Sequence, residues 1–113
     1  STFKNYLQTV FMYAGTLSLE RELPDEAWGD LSIGDVLVQG GSPGHAVIVV
    51  DMAKHPETGE KAYMLAQSYM PAQELQVLQN PNDQSLSPWY LKSAAGPVET
   101  PEWTFKKADL KTF

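Results

Sequence analysis

Gly34-Asp35-Val36-Leu37-Val38-Gln39, Gly40-Gly41-Ser42-Pro43-Gly44 and His45-Ala46-Val47-Ile48-Val49-Val50-Asp51 follow one another without a break. Lys61-Ala62-Tyr63-Met64-Leu65-Ala66-Gln67-Ser68-Tyr69 returns after a polar turn. Apolar runs on either side of a glycine-rich loop read as neighbouring strands. From His45 to Met52, the set His45, Val47, Val49, Asp51 alternates with Ala46, Ile48, Val50, Met52. Both sets are mainly apolar, so this strand is central and covered on both faces. Lys54 to Glu60 is a turn-rich loop in which His55 is a solvated residue.

Register decides which polar residues meet. Placing Asp51 opposite Lys61 sets unlike charges across the ladder, and counting inward brings Val49 to Tyr63, Val47 to Leu65 and His45 to Gln67. Directly opposed side chains share a face, with Cβ atoms roughly 4.5–5.5 Å apart. A slip of one residue turns Gln67 to the other face and brings Ser68 beside His45 instead. Gly41, Ser42 and Gly44 leave room next to His45. No Lys-Ser/Thr pair follows them and no helix opens there, so the loop is not a phosphate cradle.

Outward from this stretch, Phe3, Tyr6, Leu7, Val10, Phe11 and Ala14 have the spacing of one helical face, which predicts a helix over Thr2 to Ala14. Ser1 or Thr2 caps its start and Gly15 its end. Thr16 to Ile33 is irregular, and Glu20, Glu22, Asp25 and Glu26 read as a solvated acidic surface. Gln73 to Leu78 alternates like a further strand. Asn80 to Pro101 is loop-like, anchored by Ser87-Pro88-Trp89-Tyr90. Glu102 to Phe105 reads as a closing strand, and Ala108 to Phe113 as a last turn. Trp89, Tyr90 and Trp103 serve either as buried anchors or as the lining of a groove for a sugar or peptide.

At 113 residues the chain is one domain, residues 1–113. A net charge of −6 argues against nucleic acid or an anionic membrane as partner. No apolar run is long enough to span a bilayer. Without cysteine there is no disulfide, thiolate metal site or cysteine nucleophile in this sequence. No metal or other cofactor is expected. The chain opens on Ser1 and is expected to be the C-terminal portion of a longer exported protein.

The ordered set of a helix, a Gly-Asp-Val strand, a Gly-His strand and a strand ending in Gln67-Ser68 resembles the core of the NlpC-type and CHAP peptidoglycan hydrolases, which are papain-like. The resemblance covers roughly Thr2 to Tyr69. It implies an α+β fold, an N-terminal helix packed on a small, mostly antiparallel, partly barrel-like sheet. It also implies that His45 takes and returns a proton while Gln67, or Ser68, orients its ring. The helix here lacks the cysteine of those families. A nucleophile would then be Thr2, Ser1 or a residue upstream, although a hydroxyl is harder to activate than a thiol.

The sequence is also similar to one of the numbered bacterial domains of unknown function, usually found in exported or envelope proteins. The matching segments are Gly15-Thr16-Leu17-Ser18-Leu19, Gly34-Asp35-Val36, Gly40 to Ala46, Leu65 to Gln73, Ser87 to Tyr90 and Thr100 to Phe105. That likeness implies an extracytoplasmic or envelope location. The first functional expectation is a hydrolase-like module that binds peptidoglycan fragments or peptides, with Gly41, Ser42, Gly44, Tyr69 and Trp89 around the ligand. The second is an active amidase or peptidase using His45 as base, and the third a purely structural interaction domain in which His45 is a hydrogen-bonded core residue.

Overall fold

The computed structural model describes residues 23–40, 45–68 and 75–112. Eight strands make up most of their regular structure: β1 (Val36–Gln39), β2 (His45–Lys54), β3 (Lys61–Ser68), β4 (Leu75–Val77), β5 (Trp89–Leu91), β6 (Val98–Glu99), β7 (Thr104–Phe105) and β8 (Leu110–Lys111). Helical structure among the described residues is confined to two three-residue 3-10 turns, Trp28–Asp30 and Lys107–Asp109. Every described pairing is antiparallel. The α+β, papain-like expectation is therefore corrected: this is a β-sheet protein, whose sheet runs β4-β3-β2-β1-β8 between two separate ends. The helix expected over Thr2 to Ala14 lies outside the described residues.

β2 is central, as its two apolar faces require. One face carries Leu37, Val47, Val49, Tyr63 and Leu65, packed under Val98, Phe105 and Leu110 from the C-terminal part of the chain. The other carries Val36, Ile48 and Ala66, with Leu23 and Val50 against them. Phe105 is fully buried, and withdrawing a ring of that size from water contributes about 2–3 kcal/mol. The two-stranded β6–β7 hairpin, which pairs Val98 with Phe105, lays that ring over the first face.

The β2–β3 register differs from the expected one. Val49 opposes Leu65, but Asp51 opposes Met64, so Val50 is the extra residue of a β-bulge. Beyond the bulge the faces exchange: Met52, opposite Tyr63, joins the first core, and Asp51 turns the other way. Lys54 then stands opposite Lys61, a like-charge pair in place of the expected Asp51–Lys61 pair. The turn outweighs that charge preference. His55 N–H donates to the Glu60 carbonyl at 2.8 Å, and Gly59 takes a positive φ of 74°. The N–H groups of Glu57 and Thr58 donate to His55 Nδ1 at 3.1 and 3.2 Å. Such a set of local hydrogen bonds exceeds an exposed cross-strand ion pair, worth about 0.2–1 kcal/mol. His55 is thus exposed, as expected, and also organises its own turn.

β4 and β5 follow one another along the same edge of β3, pairing with its two ends. The Asn80–Trp89 connection is built on the buried Asn80, whose backbone N–H donates to Ser87 Oγ and whose side-chain amide donates to the Trp89 carbonyl. Its carboxamide oxygen accepts from Asn82 N–H. On the far side of β1, residues 24–26 run along β8: Glu26 N–H donates to the Leu110 carbonyl, Thr112 N–H to the Pro24 carbonyl, and Lys111 pairs with Asp25.

Candidate functional site around His45

His45 opens β2 directly opposite Gln39, the last residue of β1. On the other side, Ile48 opposes Ala66, so one step further Val47 opposes Gln67. His45 and Gln67 are diagonal neighbours rather than a direct pair. The register stands two residues from the expected one, and a two-residue shift preserves the face. Diagonal Cβ atoms lie about 7–8 Å apart, within reach of a long side chain. The Gln67 amide closes that gap, with Oε1 2.6 Å from His45 Nε2.

This contact fixes the tautomer. An amide oxygen only accepts, so a neutral ring in this contact carries its proton on Nε2 and its lone pair on Nδ1. Gln67 is 3% exposed while His45 is half-buried, so the orienting group lies deeper than the residue it orients. The ring is clamped from above: Trp103 stacks on it with centroids 5.4 Å apart at 21°, and Phe105 lies tilted at 6.1 Å.

Trp103 is held in turn. Its indole Nε1–H donates to Gln39 Oε1 at 2.9 Å, and Gln39 Nε2 donates to Asp109 Oδ2 at 2.8 Å. Its carbonyl accepts from the Thr100 hydroxyl and backbone N–H. Gln39 and Trp103 therefore complete the site. Gln39 was legible only as the last residue of a strand, and nothing local in the sequence tied Trp103 to the ring of His45.

Beside Gln67 a small pocket of about 160 Å³ is lined by Gln76, Gln79, Glu102, Val77 and Pro101 as well as by Gln67 itself. Three carboxamides and a carboxylate around a short apolar floor suit hydrogen bonding to a polar, amide-bearing ligand.

The other expected site residues are placed differently. Trp89 pairs with Met64, on the face of the sheet opposite His45 and Gln67, and takes no part in this site. Ser68 ends β3 opposite Leu75, and its side chain lies outside the described residues. Ser1, Thr2, Gly41, Ser42, Gly44 and Tyr69 also lie outside them. Among the described residues no group of three or more His, Cys, Asp and Glu side chains is placed to hold a metal ion. No helix among them is long and apolar enough to cross a membrane.

A second polar feature lies beneath β1. Asp35 is buried, and one of its oxygens accepts from Ser32 N–H at 2.8 Å. Glu26, expected on a solvated acidic surface, instead sets its carboxyl against Asp35, with Oε2 buried and without a hydrogen-bond donor. A proton on that oxygen satisfies it. The hydrogen bond to Asp35, the loss of solvent and the nearby charges of Asp35 and Asp30 push the Glu26 carboxyl up to about 7.

Compared with known proteins, residues 1–112 match the family described as "Domain of unknown function (4846)". The chain belongs to that family. No curated protein and no solved structure matches it. The family description names no chemistry, so a functional reading of this member rests on the geometry of the His45 site.

Proposed function

We propose that this family member is a binding module for peptides or peptidoglycan fragments, working at the His45 end of the sheet. The observation that carries the reading is the His45–Gln67 contact, with Gln67 also lining the amide-rich pocket. One side chain thereby connects an oriented imidazole to a cavity able to hold a ligand amide. The Nδ1 lone pair accepts a hydrogen bond from the ligand, and Gln76, Gln79 and Glu102 supply further donors and acceptors. The likeness of the sequence to exported bacterial domains supports an envelope setting for such a ligand.

Titration of the isotopically labelled protein with muropeptides tests this. Amide shifts centred on Gln67, Gln76 and Trp103, lost in His45→Ala, are expected; their absence at millimolar ligand would sink the reading.

A second reading is an active amidase or peptidase in which His45 is the general base. The fixed tautomer favours it, because a base needs a nitrogen lone pair held toward its proton donor. The donor would be the hydroxyl of Ser1 or Thr2, or a group upstream of them. Release of cleaved muropeptide by the intact protein, abolished in His45→Ala, is its signature. Cleavage that is absent, or unaffected by the substitution, removes it.

A further inference from the structure

We propose a second ligand site on the opposite face of the sheet, at its other end, which takes a neutral saccharide ring. It is a groove of about 370 Å³, inside the roughly 300–1,000 Å³ range of small-ligand pockets. Its floor is made by Ala53, Ala62 and Leu91, which stand side by side across β2, β3 and β5. Two alanines in a row leave a depression that larger residues would fill. Trp89 and Leu86 wall it on one side.

Trp89 is the telling residue. The indole N–H groups of Trp28 and Trp103 donate to the Lys92 carbonyl and to Gln39 Oε1. Among the described residues the Trp89 indole N–H meets no acceptor, and its ring is half-buried beside the groove. A broad apolar face with an unspent donor at its edge suits a sugar, whose ring has an apolar C–H face and hydroxyls around its rim. The backbone carrying it is fixed, since the Trp89 carbonyl accepts from Asn80 and its N–H donates to Leu86.

The rim is polar and held in place. Asp83 Oδ1 accepts from the Ser85 hydroxyl and from Ser85 and Leu86 N–H, contacts that hold its carboxyl below the ordinary range and leave Oδ2 for a ligand. Glu60 Oε1 accepts from Ser93, leaving its other oxygen. His55 spends Nδ1 on its own turn, which leaves Nε2 to face outward. Lys54 adds a cation. Both signs of charge surround the groove, so neither an anionic nor a cationic ligand is matched. A neutral polyol, which donates to carboxylates and accepts from N–H groups at neighbouring carbons, is. From Ala62 to Gln67 is five residues of β3, about 17 Å, so the two sites are separate.

The test uses the intact chain and the trimer of N-acetylglucosamine, followed by the indole N–H resonances of the three tryptophans. A shift of Trp89, with Trp28 and Trp103 unmoved, is expected, with affinity at least tenfold above that for a trigalacturonate control. Ala53→Leu fills the groove from an exposed position and should weaken binding at least tenfold while the fold is retained. Asp83→Asn, which keeps the Oδ1 contacts, should weaken it as well and serves if Ala53→Leu misfolds. No Trp89 shift at millimolar sugar, equal binding of the anionic trimer, or binding undiminished in both variants would overturn the proposal. A shift of Trp103 alone would also overturn it, while supporting a ligand at the His45 end.

Discussion

Gln67 reaches His45 along the diagonal of the β2–β3 ladder, not across it, and its amide oxygen closes to 2.6 Å on Nε2. The contact depends on side-chain length as much as on register. Asparagine, one methylene shorter, cannot span the same gap. Gln67→Asn should therefore leave the imidazole unrestrained, and the Nδ1–H tautomer should become populated in the nitrogen spectrum of His45. Gln67→Leu, which keeps the volume and removes the acceptor, should lower stability by about 1 kcal/mol in urea unfolding. A single unchanged tautomer in both variants would show that Gln67 does not orient the ring.

Phe105 packs against the same ring beside Trp103 and is fully buried. Phe105→Ala should cost about 3–5 kcal/mol, the range for deleting a core aromatic. A loss under 1 kcal/mol would mean that the β6–β7 hairpin does not contribute to the core.

Stability should depend on the proton at Glu26. Its carboxyl is raised from 4.5 to about 7 in the folded protein, so the folded state holds the proton more tightly. The stabilisation is fully present below about pH 4.5 and is lost as pH rises through about 7. Solvent screening reduces it, to on the order of 1 kcal/mol. Glu26→Gln keeps a donor for Asp35 and has nothing to ionise. The difference in unfolding free energy between the two proteins should therefore change across that interval, in favour of the variant at higher pH. Parallel curves for the two proteins would exclude the paired carboxyls.

Asn80 ties together a long connection with three hydrogen bonds. Asn80→Ala should cost about 2 kcal/mol and release the Trp89 segment first. Hydrogen exchange at Leu86, Ser87 and Trp89 should accelerate before that of β2; uniform acceleration would contradict a local anchor.

What was legible in the chain was periodic. The alternation from Val36 to Ser68 placed three strands in order, with β2 in the centre, and it put His45 and Gln67 on one face. Two facts about register were not legible. The bulge at Val50 has no sequence marker such as glycine, and the turn organised by His55 overrode the apparent Asp51–Lys61 pairing. The two-residue difference kept the face and so kept the site, although it changed the cross-strand partners. Trp89 went to the other face because nothing local sets the register of a three-residue strand after a long connection. Glu26 looked like surface because burial of an acid by a neighbouring acid depends on contacts with no periodicity. The resemblance to papain-like hydrolases implied an architecture that the sheet does not have.

The lengths of the strands bear on how the protein behaves in concentrated solution. The central ladder runs ten and eight residues, but the strands outside it among the described residues have only two to four. β8 is further covered by its bridge to Asp25, next to Pro24. A short, interrupted border offers few consecutive N–H and C=O groups to another molecule's strand. The long apolar strands are thus shielded from templating a neighbour. Replacing Pro24 with a strand-forming residue, which would extend the pairing of its segment along β8, is the direct way to make this border template a neighbour.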